Sequence, residues 1–154
     1  MKETMNKPII LCIYFILVEM APSQDHWETA IYADDVWSYV VPESELPSEW
    51  NTLDFDDSAW LSGPGGIGYG DGDDGTEISP AISVYLRRVF TVSDTANLIS
   101  AILHADYDDG FVAYLNGFEI GRSSNLGDPG TFVSFDGATN SDHEAQLYQG
   151  GYPD

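Results

Sequence analysis

The chain has 154 residues and is 43% hydrophobic, enough apolar material for one domain with a core. Its 26 acids face 5 bases, a formal net charge of −21 that repels nucleic-acid phosphates and anionic membranes. Cations and neutral ligands are the partners such a surface favours, and halophilic adaptation gives the same signature.

Residues 1–23 read as a signal peptide. Lys2 and Lys7 form a basic start, and residues 8–18 (PIILCIYFILV) form an apolar run short for a bilayer span. Ala21-Pro22-Ser23 fits a cleavage site, so the mature chain is expected to begin at Gln24; an uncleaved anchor is the alternative. Cys12, the sole cysteine, lies inside this segment, which leaves no disulfide and no thiolate metal site in the mature protein. The expectation is a secreted, periplasmic or cell-surface protein with no membrane insertion after cleavage, of bacterial type.

Residues 24–35 are a lead-in, and the module proper runs from 36 to 154. Its aromatic content of 13%, with 15 Gly and 8 Pro and no sustained helical periodicity, predicts an all-β domain. Val36 to Val41 alternates as a first strand until Pro42 stops it. Asp56 or Asp57, ahead of Ser58-Ala59-Trp60, is placed to cap one helical turn. Residues 62–75 (SGPGGIGYGDGDDG) read as a glycine-rich loop. That loop lacks the Lys-Ser/Thr and the following helix that a phosphate cradle needs. Strands are predicted over 83–92 and 98–107. Residues 111–115 and 118–122 flank Asn116-Gly117, a strong hairpin signal. A polar run follows to 142, then a short segment over 145–148. That makes about six or seven strands at the spacing of an antiparallel β-sandwich of jelly-roll type.

Residues 55–60 (FDDSAW), 66–71 (GIGYGD), 84–90 (VYLRRVF), 106–117 (DYDDGFVAYLNG) and 119–122 (EIGR) together carry a resemblance. The chain resembles the galactose-binding-like jelly-roll modules of secreted bacterial multidomain proteins. Similar modules accompany lamin-tail and spore-coat-H-like kinase domains, glycoside hydrolases and phosphoesterases. The resemblance covers most of 37–148, and residues 106–117 are its most specific part. Beyond the G-G-x-P pattern at 150–153 the family continues with a further strand pair. The resemblance therefore implies a module truncated at its C-terminus, with further domains downstream. It also implies an accessory role: such modules attach, present or orient, and rarely catalyse.

The candidate chemistry lies in the acidic turns. Asp106, Asp108 and Asp109 offer hard oxygens of the kind Ca²⁺ takes, and Asn116 could add an amide oxygen if the fold returns it. The competing reading is a turn whose carboxylates bond their own backbone. Asp71, Asp73 and Asp74 form a second candidate, in which Asp71 and Asp73 could ligate Ca²⁺; the twelfth position counted from Asp71 is Ile82, so it is no EF-hand, and a mobile acidic loop is the competing reading. For a sugar, Tyr69, Tyr107 and Trp60 could stack on a pyranose face, while Asp108, Asp109, Asn116 and Arg122 could bond its hydroxyls. Trp37, Trp50 and Trp60 are more naturally core residues. Arg88 shares strand parity with apolar Val84, Leu86 and Phe90, which calls for a structural Arg–Asp bridge.

No Ser–His–Asp set and no zinc spacing is evident, and the acids crowd into loops rather than facing each other. The chain reads as no enzyme. It is expected to be an exported accessory module that binds a glycan or cell-surface polysaccharide, with Ca²⁺ as a candidate cofactor. A purely structural spacer is the alternative, and a hydrolase fragment stands third.

Overall fold

The computed structural model describes residues 26–70, 72 and 74–146. The expected signal peptide and cleavage site, Asp71, Asp73 and the G-G-x-P end lie outside the described residues. Among the described residues, no helix is long and apolar enough to cross a membrane.

Among the described residues, regular structure is β, in seven short strands: β1 Val36–Val40, β2 Leu61–Pro64, β3 Ile67–Gly68, β4 Thr76–Glu77, β5 Tyr85–Arg87, β6 Val112–Leu115 and β7 Phe118–Arg122. A single 3₁₀ turn, Ser124–Leu126, is the helical element among the described residues. The strands group as β2-β1-β5, β3-β4 and β6-β7.

β1 is the centre of the first sheet, as its alternation and Pro42 predict. It pairs antiparallel with β2, Tyr39 opposite Leu61, and with β5, Tyr39 opposite Leu86. Tyr39, 8% exposed, is the most deeply buried of the apolar residues among those described. Part of the predicted glycine-rich loop is thus β2, which joins this sheet, and β3, which pairs in parallel with β4. Composition concealed these strands, because glycine here serves close backbone approach rather than looseness.

β5 holds the sheet's edge through two arginines. The Arg87 guanidinium donates to the carbonyls of Trp50, Thr52 and Phe55 and to the Asp57 carboxylate. Arg88 pairs with Asp35 at 2.9 Å and donates to the Val36 carbonyl. The structural bridge expected for Arg88 is therefore present. Asp57 is occupied by Arg87, and Asp56 Oδ1 accepts from the Ser58 amide at 3.0 Å, closing a turn without a helix.

Asn116 and Gly117 adopt φ of 49° and 85°, the left-handed pair that a two-residue hairpin turn requires. Leu115 faces Phe118, and the register slips at Ala113/Tyr114, so that Glu119 faces Tyr114 while Gly121 faces Ala113. Trp50 joins hairpin to sheet: its ring meets Tyr85 at 4.7 Å and Tyr114 at 5.6 Å, both edge-on. Burial pushes the Tyr85 and Tyr114 phenols up from their ordinary value.

Two predicted strands differ from expectation. Residues 83–92 pair over Tyr85–Arg87, and residues 98–107 form no strand. No strand among the described residues pairs with 98–107, and unpaired backbone is not a strand however apolar its side chains. Ile99 is 86% exposed and Ile102 59%, and Phe118 across the hairpin is 78% exposed. The protein is β-rich, and this apolar face is open.

Candidate functional site

The acidic turn at 106–110 connects the open apolar segment to β6. Asp109 takes a left-handed φ of 59°, which aspartate tolerates better than most residues. Three contacts fix it there. Its amide donates to the His143 carbonyl at 2.8 Å, and its Oδ1 accepts from the His143 amide at 3.2 Å. Its carbonyl accepts from Asn125 Nδ2 at 2.6 Å. The same Asn125 amide group donates to the Ser141 carbonyl, so one side chain ties the turn to the irregular return at 141–143.

Asp106 Oδ1 accepts from the Gln146 amide at 2.8 Å. The Tyr107 carbonyl meets His143 Nδ1 at 3.0 Å, and the two rings stack at 4.1 Å, 14° from parallel. Tyr107 also lies 4.8 Å from the Phe111 ring. Phe111 is anchored in turn by Ser123, whose Oγ accepts from the Phe111 amide at 3.0 Å and which is only 4% exposed. Asp106 and Asp109 therefore serve the backbone of residues 143–146, a distant segment, rather than their own backbone as the turn reading has it. Asp108 is exposed, and its carboxylate has no hydrogen bond among the described residues.

The remaining candidates are dispersed. Asn116 sits beyond the far end of β6, a strand that by itself spans roughly 13 Å, so it does not join Asp106 and Asp108. Tyr69 is half-exposed in the glycine-rich region, and its hydroxyl donates to the Ala81 carbonyl at 3.2 Å. Arg122 lines the groove, but all its donors are used: Nε and Nη2 grip Glu119, and the others reach the Leu126 carbonyl and Thr131. Its role in this structure is to fix the loop after β7. Trp60 packs against Phe55, their centroids 5.7 Å apart. Asp71 and Asp73 lie outside the described residues. Among the described residues, no three His, Cys, Asp or Glu side chains converge as a metal site.

The Glu119 carboxyl is held below its ordinary value, chiefly by the hydrogen bond from Arg122, with the Gly130 amide adding to it. A depressed folded value means that this stabilisation is complete above the ordinary value of 4.5 and is lost as pH falls through the lower folded value. Urea midpoints are expected to drop across that acid limb, and Glu119→Gln is expected to flatten it. An unchanged acid limb in Glu119→Gln would assign the loss to other carboxyls.

An open groove of about 530 Å³ runs between residues 101–107 and the hairpin. Ala101, Leu103 and Tyr107 line it from the first, and Ile120 and Arg122 from β7. The sequence reading missed two residues that shape it, His143 and Asn125. Neither carries a local signal, because each acts on a turn more than ten residues away.

No family model, no curated protein and no solved structure matches this chain.

Proposed function

We propose that this chain is a non-catalytic accessory module of an exported protein, of galactose-binding-like jelly-roll kind, and that it holds a glycan. The groove beside the acidic turn carries the reading. Its volume of about 530 Å³ suits a small ligand, and it joins the Tyr107 and Phe111 rings to the Ser124 hydroxyl. The exposed Asp108 carboxylate stands next to Tyr107 in the chain. Apolar ring surface with a few polar groups at the margin is what a pyranose needs: a C–H face to cover and hydroxyls to bond. The module acts by contact; Asp106 and Asp109 are engaged in bonding the backbone of residues 143–146.

The test is calorimetric titration of the full chain with neutral and charged oligosaccharides, with and without Ca²⁺. Asp108→Ala is expected to weaken binding by about 1–3 kcal/mol at unchanged folding, the worth of a lost charge-assisted hydrogen bond. Affinity unchanged in Asp108→Ala would place the ligand elsewhere. A folded protein that binds no glycan would sink the reading.

The open apolar face around Ile99 and Ile102 favours a second reading, a spacer that presents a neighbouring domain. It predicts no glycan in the same titration.

A further inference from the structure

Residues 98–107 run without a turn or bend, and every residue from Leu98 to His104 is exposed. From Ile99 to Ala105 no backbone amide or carbonyl is hydrogen-bonded among the described residues. An open groove separates residues 101–107 from β7, so the hairpin does not close this edge. The other sheet edges carry the usual guards against an added strand, charge and proline. β2 ends in Gly63-Pro64, β5 ends in Arg87, and β7 holds Glu119 and Arg122. Residues 95–105 (TANLISAILHA) contain no proline, glycine, lysine, arginine or carboxylate. This run combines strand composition and an unused hydrogen-bonding ladder with none of those guards.

Charge decides what fits it. Acids stand at both ends of the run: Asp94 before the turn at 95–98, and Asp106, Asp108 and Asp109 after the last apolar residue. Each described arginine is tied to a carboxylate: Arg87 to Asp57 at 3.2 Å, Arg88 to Asp35 at 2.9 Å and Arg122 to Glu119 at 2.8 Å. A second copy pairing antiparallel about Ala101 would draw Asp94 of each chain toward Asp106 and Asp108 of the other, and like charges across a strand pair are destabilising. Two chains at −21 also repel as wholes. We propose that residues 99–105 accept, by β-strand addition, an extended segment of another polypeptide: an apolar stretch of about seven residues with lysine or arginine at both ends. Main-chain hydrogen bonds supply the pairing. Ile99, Ile102 and Leu103 offer apolar surface to its alternate side chains, and the terminal acids select its charge. The contact goes beyond the glycan reading and does not depend on it.

Three synthetic peptides of alternating valine and threonine decide it, titrated into the full chain. One carries lysine at both ends, one carries glutamate at both ends, and one is the lysine-ended peptide with every backbone amide methylated. At low salt the lysine-ended peptide is expected to bind about ten-fold or more tightly than the glutamate-ended one, two surface ion pairs against two repulsions. The gap is expected to close in about 1 M salt, where the Debye length is about 3 Å. The methylated peptide has the same charge and no amide to donate, and it is expected not to bind. Ala101→Pro and Ile102→Pro remove neighbouring amides that point to opposite edges. At least one of them is expected to weaken binding about ten-fold, both at an unchanged urea midpoint, because neither amide is hydrogen-bonded among the described residues. Equal binding of the methylated peptide, or full binding by both proline variants, overturns the proposal, as does failure of the lysine-ended peptide to bind. Equal affinity for lysine and glutamate ends overturns the choice of occupant. Dimers of the chain that strengthen with salt give the edge to a second copy and also overturn it.

Discussion

Arg87→Ala is expected to cost about 3–5 kcal/mol of unfolding free energy, the range for removing one partner of a buried charged network. The Arg87 side chain is 9% exposed and works as a clasp. Its Nη1 holds the carbonyls of Trp50 and Thr52, the latter at 2.9 Å, while its Nη2 reaches Phe55 and its Nε reaches Asp57. Its guanidinium carbon lies 5.2 Å from the Phe55 ring centre, adding a cation–π contact. Residues 50–57 have no regular structure of their own, so these bonds set their path. That path positions Trp50 against Tyr85 and Tyr114, the contact that ties the hairpin to the first sheet.

Truncation orphans three carbonyls and leaves Asp57 without its cation. A typical domain is stable by only about 5–15 kcal/mol, so the loss is a large share of the total. Arg87→Lys should recover less than half, because one ammonium cannot span a fork of four acceptors. Urea unfolding followed by tryptophan fluorescence checks both variants. A loss below about 1 kcal/mol would mean that water serves those carbonyls as well as the guanidinium does.

Gly65→Ala is expected to be the most damaging single methyl in the glycine-rich region, at about 3 kcal/mol, the upper end for overpacking. An added Cβ would lie 1.9 Å from the Ala33 carbonyl oxygen and 3.5 Å from Trp37 Nε1. The first obstacle is backbone and cannot rotate aside. Gly65 also donates its amide to the Asp35 carbonyl at 2.9 Å, so moving away breaks a bond that aligns β2 with the start of β1. Gly72→Ala is the control, because its Cβ meets nothing within 4 Å and any cost there reflects its left-handed φ of 84°. Thermal midpoints decide between them: a Gly65→Ala protein as stable as Gly72→Ala would show that the chain can shift at Ala33.

The elements legible in the sequence were those set by neighbouring residues. Val36 to Val40 alternates and is stopped by Pro42, and it is a strand. Asn116-Gly117 demands two left-handed residues in succession, and it is the hairpin turn. Acids at 106–109 ahead of a glycine suggested carboxylates that bond their own backbone, whereas Asp106 and Asp109 bond a distant segment. Their partners, the amides of Gln146 and His143, lie 40 and 34 residues away and had no local signal.

The illegible elements depend on what lies alongside. Residues 98–107 carry the composition of a strand, yet a strand exists only where a second backbone takes its hydrogen bonds. Residues 61–68 have a loop's composition, yet β2 pairs because glycine lets backbones pass where a side chain would collide. Arg122 looked like a ligand's donor in the sequence, and Glu119 three residues earlier, together with Leu126 and Thr131, uses every hydrogen it has.

The sequence by itself determined the β character, the hairpin and the acidity, since backbone preference and net charge are sums over local residues. The tertiary structure alone decided which polar groups hold the fold and which stay in solvent. That assignment depends on which groups distant segments bring within hydrogen-bond reach, and it left Asp108 exposed with its carboxylate unengaged among the described residues.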